Sequence, residues 1–266
     1  MSSNSANNTD TSAGEEATTD RSTAHVGVVC THALEVEPLI SRLDRRRRYS
    51  DGGVQFSGGF LGTSIRVAVV EAGTGFAAHR KATEILITEH VPSWIIATGF
   101  SSSLADDVLA GDLSLATTIC DTHGQRLNLN CPIPESRRAT LRTHLVADEH
   151  PATPDQKRQL AFATSASVVD TNSLAVAQIC EAAGTPCLSI RAIVDDLNEN
   201  VPRSVVQALF EPMSSSNHNS VGRWVSGLRQ PKEVKTWVSR ARIVTAHLDR
   251  FLSGVIRQVG DHLDQT

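Results

Sequence analysis

The chain has 266 residues, a formal net charge of −4 and 40% hydrophobic residues. This suits one globular domain with a single sizeable core, and gives no global electrostatic reason to bind nucleic acid or an anionic membrane. No apolar run reaches the ~18–20 residues needed to span a bilayer, so no stable membrane insertion is expected. Five cysteines without a C-x-x-C pair fit free thiols in a reducing cytoplasm. Ten histidines show no H-x-x-x-H or similar spacing, so no metal and no other cofactor is expected.

Residues 1–24 are rich in Ser, Asn, Thr, Asp and Glu and have no apolar segment. They read as a disordered tail ahead of one domain over 25–262. The apolar, β-branched run His25–Cys30 predicts a strand buried on both faces. Helical spacing of Leu34, Leu39 and Leu43 follows, and then the basic run Arg45–Arg48, which reads as a solvated loop or helix end. Val54–Phe60 and Thr63–Val70 read as strands joined by a turn. After the break at Gly73-Thr74-Gly75, Ala77–Glu89 predicts a helix of about three turns.

Trp94–Thr98 is the next buried strand, ended by Gly99 and a serine cluster, and Asp112–Thr118 a further one. Residues 121–134 look irregular, and Arg138–Leu145 is weakly patterned. Thr153 at a cap and Pro154 at the first helical position start a helix through Leu160. Ala166–Val169 and Cys187–Val194 predict strands on either side of a helix over Leu174–Ala183. Three- and four-residue apolar steps mark a long amphipathic helix over Lys232–Gln258. Alternating strands and helices define an α/β class, a three-layer α/β/α domain with a central mixed, mostly parallel sheet.

In such a sheet ligands bind in the loops after the strands. Four such loops carry polar residues or glycine: Thr31–Glu35, Ala72–Gly75, Gly99–Ser103, and Asp170–Asn172 with Asp195 beyond. Gly73-Thr74-Gly75 lacks the third glycine of a dinucleotide fingerprint and the lysine of a P-loop. Gly99-Phe100-Ser101-Ser102-Ser103 is not a G-x-S-x-G nucleophile elbow. Glu35 and Asp195, both at expected strand ends, can divide a reaction between a general base and a general acid. By spacing alone, each can equally be a cap or half of an ion pair.

The ordered segments resemble the nucleoside phosphorylase and nucleosidase superfamily, in its 5′-methylthioadenosine/S-adenosylhomocysteine nucleosidase branch. The similar stretches are Val26–Glu37, Glu71–Gly75, Ile95–Leu104 with Leu109–Asp112, Val169–Ser173, and Arg191-Ala192-Ile193-Val194-Asp195. They keep the family's order from Ala24 to Pro202. The run Ala147–Pro202 is further similar to the hopanoid-associated phosphorylase subgroup, thought to release adenine from an adenosylated lipid.

The resemblance implies N-glycosidic hydrolysis of a purine nucleoside, with Asp195 protonating N7 of the leaving base and Glu35 activating water. Asn172, Thr171, Asp170, Gly99, Phe100, Ser101, Ser102 and Gly75 would line the substrate site. It also implies a cytoplasmic homodimer acting on a small nucleoside, without nucleic-acid partners. The family's ribose-gripping glutamate is Asn172 here, its preceding methionine is Thr171, and the serine before the catalytic aspartate is Val194. A neutral amide hydrogen-bonds about half as strongly as a carboxylate. These departures leave two alternatives open: a catalytically weak or silent nucleoside-binding paralogue, and a purine nucleoside phosphorylase. The family's phosphorylases carry an arginine in the strand before the small-residue loop; Trp94–Thr98 has none.

Overall fold

The computed structural model describes residues 23–137, 139–210 and 232–263. The expected N-terminal tail thus lies outside the described residues but for its last two. In chain order the elements are β1 (Val26–Cys30), a 3-10 turn (Ala33–Glu35), α1 (Glu37–Arg42), β2 (Asp44–Asp51), β3 (Val54–Leu61), β4 (Ile65–Glu71), α2 (Phe76–His90), β5 (Trp94–Ser103) and β6 (Leu113–Asp121). Then come β7 (Arg126–Asn128), β8 (Ala139–Val146), α3 (Pro154–Thr164), β9 (Val168–Asp170), α4 (Ser173–Ala183), β10 (Cys187–Asp195), α5 (Arg203–Leu209) and the long helix α6 (Lys232–Leu263).

Among the described residues all strands join one 10-stranded mixed sheet, ordered β10-β6-β8-β9-β5-β1-β4-β3-β2, with β7 on β6. Its centre, β4-β1-β5-β10, is parallel, and antiparallel pairings flank it. β5 pairs with β10 and also, through Ser102 and Ser103, with β9. The sheet therefore curls until β5, β10, β6, β8 and β9 close a small barrel. One core packs α1, α5 and α6 on one face; another packs α2 and α4 on the other. This is the expected three-layer arrangement. No helix among the described residues is long and apolar enough to cross a membrane.

Local chemistry explains the elements. β1 is buried along its whole length, as a continuous apolar run predicts. α3 starts with a capping box in which Thr153 accepts from Gln156 N while Gln156 reaches back. α6 carries Val238, Ala241, Val244, Leu248, Leu252 and Ile256 on its buried face, the three- and four-residue steps seen in the sequence.

Four expectations need correction. Arg45–Arg48 is neither loop nor helix end but part of β2, exposed along its length and paired with β3 at the sheet edge. With both faces in solvent, no alternation of apolar and polar residues marks it. β5 does not stop before Gly99; it continues through the serines, which are fully buried. Arg138–Leu145 gives β8, whose His144 points inward to Ser114 Oγ (2.8 Å). The irregular excursion holds the short strand β7.

Candidate active site

The loop after β1 tightens into the 3-10 turn, which turns Glu35 back onto the chain that precedes it. Its carboxylate accepts from Thr31 N (2.7 Å) and His32 N (3.4 Å) on Oε2, and from Phe100 N (3.1 Å) on Oε1. Three backbone donors on one buried side chain fix its orientation. The approach is close enough to require glycine at position 99. A Cβ there would lie 2.8 Å from Glu35 Oε1 and 2.9 Å from Arg191 Nη1, and φ is +151°.

Arg191, on β10, is a fully buried cation beside Glu35. Its Nη2 donates to Asn172 Oδ1 (2.7 Å), and its Nε lies 3.3 Å from Asp170 Oδ2, an ion pair without hydrogen-bond alignment. Asp170 Oδ1 accepts from Asn172 N and Ser173 N, both at 2.7 Å, at the start of α4. Burial pushes the Asp170 carboxyl up, but Arg191 and these two backbone donors outweigh it and hold the group below its ordinary range. Asn172 Nδ2 donates to Thr31 Oγ1 (3.2 Å), tying α4 back to the Glu35 loop.

Asp195 ends β10, where a bulge between Ile193 and Asp195 sets its side chain against Ser102 on β5. Ser102 Oγ donates to Oδ1 (2.6 Å), and Lys157 Nζ from α3 reaches Oδ2 (2.5 Å). Neither Asp195 nor Lys157 exposes any side-chain surface. Ser102 Oγ also bonds His150 Nε2 (2.7 Å), and the His150 ring stacks on Phe210 at 3.6 Å between centroids. Burial lifts the Asp195 carboxyl to about 6, even though Lys157 and Ser102 pull it down. Burial, helped by the Lys157 charge, drops His150 to about 3, so its ring is neutral at pH 7.

The two acids are thus tied to residues 100 and 102 of one strand, positions about 7 Å apart along it. Of the residues singled out in the sequence, Glu35, Gly99, Phe100, Asn172 and Asp170 meet in the first cluster, and Ser102 and Asp195 in the second. Ser101 Oγ is buried, with no hydrogen-bond partner among the described residues. Thr171 is half-buried in the turn between β9 and α4. Gly75 stands one step away, with φ +100° at the start of α2, its carbonyl engaged by His79.

Lys157, His150 and Arg191 were not foreseen as site residues. Lys157 carried a faint signal: it lies three and four residues before Leu160 and Ala161, which pack inward from α3, so a lysine occupies the helix's apolar stripe. His150 carried none, since its partners are 48 and 60 residues away.

Carboxylates at the ends of parallel strands beside a small closed barrel belong to a fold shared with nucleosidases of known structure. The model of the Phosphorylase superfamily matches residues 25–158, and the chain belongs to that superfamily. It is 22% identical to a 5′-methylthioadenosine/S-adenosylhomocysteine nucleosidase of Shewanella pealeana, over 66% of this chain and 88% of that protein. The S. pneumoniae nucleosidase of the same name, solved with the transition-state inhibitor MT-ImmA, superposes with a TM-score of 0.66 at 17% identity, covering 86% of this chain and 99% of that one. The Colwellia psychrerythraea nucleosidase in complex with adenine also gives 0.66, at 16% identity, covering 90% and 95%.

Proposed function

We infer that this protein hydrolyses the N-glycosidic bond of an adenine nucleoside of the class of 5′-methylthioadenosine, S-adenosylhomocysteine or an adenosylated lipid. The carrying observation is the pair of buried carboxylates, Glu35 and Asp195, held two residues apart along β5. Asp195 gives its proton to N7 of the purine, which then leaves as a neutral base with the electron pair of the glycosidic bond. Glu35 takes a proton from the water that attacks the oxocarbenium-like sugar carbon. A carboxyl lifted by burial suits the acid role. Asn172, with its carbonyl on Arg191 and one N–H on Thr31, keeps one N–H to offer a ribose hydroxyl. The relatives' names, and the adenine held by one of them, support the same substrate class.

The test is adenine release from the three substrates by the wild type, Asp195→Asn and Glu35→Gln, with and without phosphate. Both variants should lose activity while staying folded; an undiminished rate in Asp195→Asn defeats the assignment, and phosphate-dependent cleavage would make the enzyme a phosphorylase. A second reading, nucleoside binding without turnover, is favoured by one observation: Arg191 already occupies the acceptor of Asn172. Calorimetric binding by a wild type that releases no adenine would establish it. We further propose a cytoplasmic homodimer, which fractionation and light scattering test.

A further inference from the structure

An ammonium group is retained in a protein interior only where its charge and its three N–H donors are matched. Lys157 meets both conditions. Besides Asp195 Oδ2, its Nζ donates to the carbonyls of Asp196 (2.6 Å) and Glu199 (2.9 Å), in the loop leaving β10. The Asp195 carboxylate takes the charge, and the two carbonyls aim the ammonium at it. On the other side the Ser102 hydroxyl has one proton, which goes to Asp195 Oδ1. Its bond to the neutral His150 must then come from Nε2–H, which fixes that ring's tautomer. Helix α3, strand β5 and the loop before α3 thus each send one group toward a single carboxyl.

Two other carboxylates lie nearby, and neither takes the lysine. Glu199 is held by Arg240 Nη1 from α6, at 2.8 and 2.7 Å to its two oxygens. Asp196 accepts from Ala110 N (2.5 Å). The lysine charge is therefore left to Asp195.

We propose that Lys157 is a positioning residue for the hydrolysis inferred above, holding the Asp195 carboxyl in place and supplying the counter-charge for the anion it becomes. In the proton transfer the O–H bond of Asp195 breaks and the N7–H bond of the purine forms. The electron pair of the broken bond stays on Asp195 as a carboxylate. That negative charge appears away from solvent, against an ammonium already charged and already in contact, so no reorganisation is needed to stabilise it. The role rests on the nucleosidase reading and is tested apart from it.

The pH dependence of kcat/KM for adenine release is measured for the wild type and Lys157→Met. Without the ammonium the carboxyl holds its proton more tightly, so the alkaline limb moves up by about 1–3 pH units. At the same time kcat falls about 100-fold, with KM little changed. A limb that stays put or moves down overturns the proposal. Because removing a buried cation strains the fold, Lys157→Ala is assayed with added ethylamine, which should restore the rate at least about tenfold by refilling the site; a rate indifferent to the amine overturns it. Titration of the Asp195 carboxyl by carbon-13 NMR, in wild type and Lys157→Met, reads the same shift without turnover. A wild type that cleaves no nucleoside defeats the nucleosidase reading, whereas an Asp195 titration unmoved by the substitution defeats the role of Lys157.

Discussion

Arg191 Nη2 donates to Asn172 Oδ1 at 2.7 Å, so the residue proposed to meet the ribose is itself gripped by the protein. The amide's carbonyl is committed to the guanidinium and half of its donor capacity to Thr31. What remains is a single neutral donor, where the family's glutamate would present a charged acceptor.

A glutamate should fit at this point, because Arg191 can hold a second carboxylate beside Asp170. Asn172→Glu is expected to raise kcat/KM about tenfold, the difference of roughly 1.4 kcal/mol between a neutral and a charge-assisted hydrogen bond. Steady-state kinetics on methylthioadenosine reads this directly. Asn172→Ala should instead strip Arg191 of a buried acceptor and destabilise the fold by about 1–3 kcal/mol in urea melts.

Gly99 immediately precedes Phe100, whose N–H holds Glu35, and packs against that carboxylate. Gly99→Ala places a methyl group 2.8 Å from Glu35 Oε1 on backbone with φ +151°. The expected result is a loss of about 1–3 kcal/mol of stability and of most activity, since Glu35 must swing away from Phe100 N. A variant that melts and turns over like the wild type would show that β5 yields at this point.

The alkaline limb of the wild-type profile follows from Asp195. As the proposed proton donor, its carboxyl holds the proton below about 6 and is spent as it ionises above that value. In the proposed mechanism log kcat/KM should therefore fall with unit slope on the alkaline side of roughly pH 6, as read from initial rates across a buffer series.

Three buried histidines set acid stability. Burial lowers His79 to about 4 and His144 and His150 to about 3. Unfolded, they titrate near 6.5. Their depressed values mean that the unfolded chain binds protons first, so their contribution is intact above about 6.5 and is lost as pH falls below it. Each removes about 1.4 kcal/mol per pH unit in that window. Asp195, raised from 3.8 to about 6, works the other way: its contribution is full below its unfolded value and fades as pH rises through about 6. Between pH 6 and 4 one of three histidine slopes is thus offset, leaving about 3 kcal/mol per pH unit. Melting temperature should hold from pH 8 to 7 and drop steeply below 6; a level curve down to pH 5 would mean that these rings charge inside the fold.

Much of this was readable from the chain itself. Fully buried strands such as β1 and β10 announce themselves as apolar runs, and α3 and α6 by caps or stripes. Glu35 and Asp195 stood out because both follow such strands. Elements with buried polar side chains did not: β8 turns His144 to a serine, and the serines of β5 read as loop because nothing local records the sheet closure that buries them. The site's remaining parts are long-range. Lys157 meets Asp195 across 38 residues and His150 meets Ser102 across 48, and each pairing is decided by sheet closure rather than by neighbours in sequence.

The four arginines of β2 also bear on how the protein behaves in a crowded solution. Among the described residues β2 is the last strand of the sheet, exposed along its length, with no strand paired on its outer edge. An open strand edge invites a strand of another molecule, and a row of like charges repels a second copy of itself. That protection is electrostatic and therefore conditional: the screening length shrinks from about 10 Å at 0.1 M salt to about 3 Å at 1 M. Colloidal stability of this protein is thus expected to decline as ionic strength rises, with self-association starting at the arginine edge, far from the chemistry.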